Sequence, residues 1–187
     1  MRNNLILMIS IFSFILIFSS CESPVPKPNA MLRLQYPKAT YESLQTNCPY
    51  SFKKNKEAVI NVDKSCQLKI EYPFMKATLH LTYRKVSNNM DSLLIDAQKL
   101  TYEHVIKADD ITEQPFLNSS NKVYGMLYEI GGNAASQSQF YATDSTKHFL
   151  TGALYFYAKP NYDSILPAVD YVKNDMRVLM ESLKWKN

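Results

Sequence analysis

From Ala77 to Arg84 the side chains alternate in character. Ala77, Leu79, Leu81 and Tyr83 fall on one side, and Thr78, His80, Thr82 and Arg84 on the other. Only an extended backbone places residues i, i+2 and i+4 on one face, so this segment is a strand with one face buried. A strand needs partners, and the chain supplies short extended segments around it. Ala58–Val62 and Gln67–Tyr72 flank the turn Asp63-Lys64-Ser65, and Lys122–Ile130 and Gln137–Thr143 flank Gly131-Gly132-Asn133. Phe149–Ala158 follows Asp144-Ser145-Thr146-Lys147 and is closed by Pro160. Leu32, Leu34 and Tyr36 alternate up to Pro37 and read as a first strand, Tyr41–Asn47 fits no single element, and a short strand is expected before Phe116.

Two stretches switch to helical spacing. Met90, Leu93, Leu94, Ala97, Leu100 and His104 recur behind a cap at Asn88-Asn89. Leu166, Val169, Val172, Met176, Leu179, Met180 and Leu183 mark a long helix from near Asp163 to near Trp185. The order of strands, helix, strands, helix, with hairpin-length connections, predicts an α+β fold: a mostly antiparallel sheet covered by two amphipathic helices in a sandwich. Gly152–Phe156, Pro160 and the amphipathic last helix resemble the end of the fold shared by the photosystem accessory PsbP family and the Ran-binding Mog1 family.

The N-terminus is of a different kind. After Arg2 an apolar run from Leu5 to Phe18, broken only by Ser10 and Ser13, ends in Phe18-Ser19-Ser20-Cys21. This is a secretory signal with a lipoprotein cleavage box, so residues 1–20 are expected to be removed and Cys21 to carry lipid. Prolines alternate through Glu22–Asn29, which favours an extended polyproline tether over residues 21–30, reaching about 20–25 Å. Residues 31–187 remain for a single globular domain. No second apolar stretch approaches the roughly 18 residues of a membrane span.

Within that domain the composition excludes more than it selects. The net charge of the full chain, +4, is weak and the basic residues are scattered, unlike the basic patch with interleaved aromatics of a nucleic-acid groove. Only four glycines occur, and no phosphate-cradling glycine loop is present, so no nucleotide or other cofactor is expected. With Cys21 lipidated, Cys48 and Cys66 remain in an oxidising compartment, where a disulfide is the default and free thiols the alternative. A metal site shared with His80, His104 and His148 lacks any closely spaced ligand pair. Asp144, Ser145 and His148 hold the residue types of a hydrolytic triad, but five consecutive turn positions suit caps of backbone amides better than a proton relay.

Several segments together resemble GldD, the gliding motility-associated lipoprotein family of Bacteroidetes. They are Cys48-Pro49-Tyr50-Ser51-Phe52, Ala77-Thr78-Leu79-His80-Leu81, Gly132-Asn133-Ala134-Ala135-Ser136, Thr143–Leu150 running into Gly152–Phe156, and Leu179–Trp185. The chain departs from the family pattern at Gln137, where proline is expected, and at Gln67, where a large aromatic is expected. The resemblance implies an accessory lipoprotein of gliding and of the associated type IX secretion machinery, without a known enzyme activity. Its partners would be the membrane, through the lipid on Cys21, and other gliding and secretion envelope proteins. Since only Glu22 precedes the prolines where surface export uses an acidic run, the domain is expected to face the periplasm.

For a noncatalytic interaction domain, the expected contact surface is the Gly131–Ser136 hairpin with the Asp144–His148 turn, carried by Asn133, Ser136, Asp144, Ser145 and His148. Asp91-Ser92, Asp144-Ser145 and Asp163-Ser164 fit the short O-glycosylation pattern of this phylum, which makes Ser92, Ser145 and Ser164 candidate acceptors. The alternative function is an envelope protein binding a small molecule or glycan through Tyr124, Tyr128, Tyr141, Tyr155 and Tyr157. Half of these are expected to point into the core.

Overall fold

The computed structural model describes residues 35–158 and 161–186. The signal, Cys21, the tether and the Leu32–Leu34 part of the expected first strand lie outside the described residues, and Gln35–Thr40 has no regular structure.

Eleven strands and two helices are described: β1 (Tyr41–Ser43), β2 (Tyr50–Ser51), β3 (Lys53–Asn55), β4 (Val59–Val62), β5 (Leu68–Tyr72), β6 (Ala77–Lys85), α1 (Met90–Tyr102), β7 (Ala108–Asn118), β8 (Val123–Gly132), β9 (Ser136–Thr143), β10 (His148–Phe156), α2 (Tyr162–Ser182) and β11 (Lys184–Trp185). Seven form one antiparallel sheet in the order β4-β5-β6-β10-β9-β8-β7. The α+β sandwich expected from the sequence is present. The alternating segment becomes β6, near the middle of the sheet, paired along its whole length with β10.

Register assigns the two faces. Leu68, Leu81, Gly152, Phe140 and Leu127 stand opposite one another across five strands and so share a face. That face packs on α2, whose Ala168, Val172, Met176, Leu179 and Met180 join them in the core. Gly152 is required there: a Cβ would meet the Phe140 ring. The other face carries Thr78, His80 and Thr82 of β6 and is crossed by α1. The chain must leave β6 and enter the far edge at β7, so α1 spans the strands between them.

Three parts of the sequence reading change. The expected short strand before Phe116 is the 11-residue edge strand β7, which has a register shift between Ala108 and Ile111 and contains Pro115. An edge strand tolerates a residue without an N–H. The last helix ends at Ser182, not near Trp185, because Lys184 and Trp185 pair with Ser51 and Tyr50. Between β8 and β9, Gly132 takes φ +89°, and Gly131 and Gly132 pack against Asp110 and Asp109 of β7. Asp109 and Asp110 therefore belong to the sheet edge, and β8 runs on to Gly132, past the Ile130 expected as its end.

Candidate functional site

The Asp144–His148 turn joins β9 to β10. Asp144 Oδ1 accepts from the backbone N–H groups of Thr146, Lys147 and His148 at 3.0, 2.8 and 2.8 Å, and Oδ2 accepts from the Thr146 hydroxyl at 3.0 Å. Burial works to raise the Asp144 pKa, but these donors outweigh it and hold the carboxyl below its ordinary range. The Thr143 hydroxyl donates to His148 O at 2.6 Å and completes the turn, and Ser145 sits at φ +65°. Asp144 thus serves backbone amides, while the imidazole bonds elsewhere. The Asp144, Ser145 and His148 side chains form no relay.

His148 is buried, and burial pushes its pKa down, the nearby Asp144 carboxylate acting in the opposite direction. Its Nδ1 is 2.9 Å from the Tyr83 hydroxyl. The other ring contact is Trp185, stacked at 5.1 Å between centroids and 5° between planes. Trp185 Nε1 donates to Lys122 O at 3.0 Å, its backbone pairs with Tyr50, and Tyr50 packs on Tyr83 at 5.7 Å. A disulfide between Cys48 and Cys66, with Cα atoms 5.5 Å apart, fastens the segment just before β2. The Tyr50 hydroxyl donates to Cys66 O at 2.7 Å.

Beside the His148–Trp185 stack is a shallow depression of about 440 Å³ bordered by Asn121, Lys122, Lys147 and Lys184. The lysines are exposed, and the one carboxylate among the lining residues, Asp144, is spent on amides. The rim is therefore cationic.

The Gly131–Ser136 hairpin is elsewhere. It joins the opposite end of β9, about 25 Å away for an eight-residue strand. The five residues expected to make one contact surface are not brought together. Asn133 is exposed and accepts from the backbone N–H of Tyr162 at 3.0 Å, tying the hairpin to the start of α2. Ser136 is fully buried, with its hydroxyl on Ser138 O at 3.2 Å. Ser92, Ser145 and Ser164 are exposed, in the first turn of α1, the β9–β10 turn and the first turn of α2.

A second concavity lies between α1 and the sheet. It has a volume of about 260 Å³ and is bordered by His80, Thr82, Thr101, Tyr128, Gln139 and Tyr155, among others. Four of the five expected tyrosines share this face: Tyr124 pairs with Thr143, Tyr128 with Gln139, Tyr141 with Thr151, and Tyr155 with Thr78. Half of the five were expected to point into the core; Tyr128 is buried, Tyr124, Tyr141 and Tyr155 are half-buried, and Tyr157 is exposed. Gln139 Oε1 accepts from the Thr101 hydroxyl at 2.9 Å, and its Nε2 is 2.9 Å from His104 Nε2. Burial depresses the His104 pKa, so a neutral ring accepts from the amide.

Among the described residues no group of His, Cys, Asp and Glu is placed to hold a metal ion, and no helix is long and apolar enough to cross a membrane. No curated protein and no solved structure matches the chain. Residues 21–185 match the family described as gliding motility lipoprotein GldD, and since that segment is nearly the whole chain, the protein belongs to this family of membrane-anchored envelope lipoproteins associated with gliding.

Proposed function

We propose that the chain is a noncatalytic assembly domain of the gliding apparatus and its associated type IX secretion machinery, and that it binds another envelope protein through the surface around His148 and Trp185. One observation carries this reading. Cys48–Phe52, Thr143–Leu150 and Leu179–Trp185 are far apart in sequence, yet Tyr50, His148 and Trp185 from them meet in one cluster beside the cationic rim. Exposed lysines around a fixed aromatic stack suit a partner that presents carboxylates.

The test reverses charge at exposed positions and leaves the stack intact. Lys147→Glu combined with Lys184→Glu is expected to leave protein level and membrane fractionation unchanged while abolishing gliding and secretion. It is also expected to remove the partner recovered by crosslinking in native cells. Normal gliding and secretion in that variant would show that the surface is wrong.

In this reading the signal over residues 1–20 is removed, Cys21 carries lipid, residues 21–30 form the tether and the domain of residues 31–187 faces the periplasm. Ser92, Ser145 and Ser164, all exposed, are proposed O-glycosylation acceptors. An intact mass of the native protein is expected to exceed the polypeptide from Cys21 by lipid plus glycan. A mass equal to the lipidated polypeptide alone removes the glycans, and one equal to the full 187-residue chain removes both.

A further inference from the structure

Ten large apolar side chains are exposed among the described residues, and they are not spread evenly. Five of them, Val59, Phe74, Val105, Ile106 and Tyr157, lie at one end of the seven-stranded sheet. Tyr72 of β5 pairs with Ala77 of β6, and Ala77 with Phe156 of β10, so the 3₁₀ turn Pro73–Met75 and Tyr157 stand side by side there. The Tyr157 N–H donates to Lys76 O at 2.7 Å. Through the Tyr155–Ser136 pair and the β8–β9 hairpin the same end runs on to Ala108, where β7 begins behind the 3₁₀ turn Glu103–Ile106. The opposite end carries Val62 and Leu117. Ile106 is 91% exposed and Tyr157 65%, and apolar groups gathered in this way mark a contact.

The described chain also enters here. Tyr36 packs on Phe74 at 6.3 Å and on Tyr171 of α2 at 5.4 Å between ring centroids. The fourteen residues 21–34 precede Gln35 and span at most about 45–50 Å. Turning the opposite end toward a membrane would use about 30 Å of that reach, the length of the nine-residue β6. With lipid on Cys21, the apolar end is therefore the one delivered to the bilayer, where a short tether makes weak contacts effective. The spacing also favours lipid over a protein groove. Phe74 and Tyr157 lie by β6 and β10, and Val105 and Ile106 lead into β7, which is four strand positions from β6, roughly 20 Å. Separated apolar prongs suit a flat, fluid surface, with the aromatic rings at headgroup level. Lys76 and Lys107 are outnumbered by Glu103, Asp109, Asp110 and Asp163, so the match is zwitterionic and not anionic lipid.

We propose that this end of the sheet rests on a zwitterionic lipid surface, with Phe74, Val105, Ile106 and Tyr157 entering the interface. This orientation rests on lipidation of Cys21, and it turns the His148–Trp185 surface away from the membrane, since His148 pairs with Lys85 at the far end of β6. The test uses the full lipoprotein in phosphatidylcholine vesicles that contain acyl-brominated phosphatidylcholine. With Cys21 lipidated and Cys48 bonded to Cys66, a cysteine placed at exposed Lys107, Ala158 or Ser87 is the single free thiol for an environment-sensitive fluorophore. Labels on Lys107→Cys and Ala158→Cys are expected to lose about half of their emission or more to bromine, at the depth of roughly 5–10 Å that interfacial apolar groups reach. A label on Ser87→Cys, beyond the far end of β6, is expected to stay unquenched. Adding Ile106→Asp and Tyr157→Asp is expected to abolish the quenching while the protein still floats with the vesicles. Equal quenching at all three positions, none at 107 and 158, or quenching that survives the aspartates overturns the proposal. Blue-shifted emission without quenching also overturns it, since a second copy would then cover this end. Wild-type protein that fails to float, or that takes up label at Cys21, overturns the lipid anchor and this orientation with it, whereas floating protein without quenching overturns the orientation alone.

Discussion

Replacing Asp175 by alanine is expected to lower the unfolding free energy by about 3 kcal/mol or more, measured by urea denaturation. Asp175 is buried on the core side of α2 and is a polar residue in an otherwise apolar stripe. The hydroxyls of Tyr41 and Tyr72 donate to it at 2.7 and 2.9 Å, and the Asn55 amide does so at 2.8 Å. These donors come from β1, β5 and β3, so one carboxylate joins the N-terminal strands and the sheet to the last helix. Alanine leaves the buried Tyr72 hydroxyl and one N–H of the buried Asn55 amide, whose other contact is the Tyr171 hydroxyl, without an acceptor, each at a cost of about 1–3 kcal/mol where no water enters. Burial holds the Asp175 pKa above its ordinary value, although the three donors pull it down. A raised folded value means that the folded state binds this proton more tightly than the unfolded chain does. The contribution to stability is therefore complete below the ordinary carboxylate value of about 3.9 and is lost as pH rises through the folded value. Asp175→Asn has no charge to bury, so its stability relative to the wild type should improve from pH 4 to pH 7. A difference that stays constant over that range would show that burial is not what shifts the group. Asp144 and Glu129 work in the opposite sense: both are held below the ordinary range, and their contributions are lost on acidification.

How much of this was legible in the sequence depended on whether a residue's setting is local. β6, α1 and α2 are periodic over nine or more residues, and periodicity follows from one buried face, so their type could be read directly. β7 hid because an edge strand is half solvated: Asp109, Asp110, Glu113 and Pro115 are acceptable there and mimic a loop. β2 and β11 are two residues each, below any period, and Trp185 is drawn out of the helical pattern by a partner 135 positions away. Asp175 has spacing that predicts an apolar residue, and nothing nearby announces the donors of Tyr41, Tyr72 and Asn55. The tyrosine face shows the same limit. Tyr128 and Tyr141 have opposite parity, so whether they share a side is decided by the register of the β8–β9 turn. The His148 turn was recognised as a set of backbone caps because Asp144 acts within four residues. Its stacking on Trp185 was not, because that contact spans separate elements.

Removing the disulfide is expected to affect both stability and the His148 surface. Cys48→Ser with Cys66→Ser opens a loop with a sequence separation of 18, for which the chain-entropy model gives about 3 kcal/mol. The same bond fastens the entry to β2, and β2 holds β11 through only two residue pairs. Trp185 is the single tryptophan of the chain and stacks on His148, so its emission reports on that surface without a label. In the wild type the emission is expected to change as pH falls, with a midpoint below the ordinary histidine value of about 6.5, because burial disfavours the imidazolium. A depressed folded value means that the contribution of neutral His148 is present above that ordinary value and lost as pH falls through the folded one. Without the disulfide, β2 and β11 loosen, water reaches the imidazole, and the midpoint moves up toward the ordinary value. Fluorescence titration of the two forms, alongside urea unfolding at neutral pH, separates two effects. Lower stability with an unchanged midpoint would mean that the bond constrains only the unfolded chain. Lower stability with a raised midpoint would mean that it also positions Trp185 on His148, and the Lys147→Glu, Lys184→Glu surface would then depend on oxidation of Cys48 and Cys66 as well as on charge.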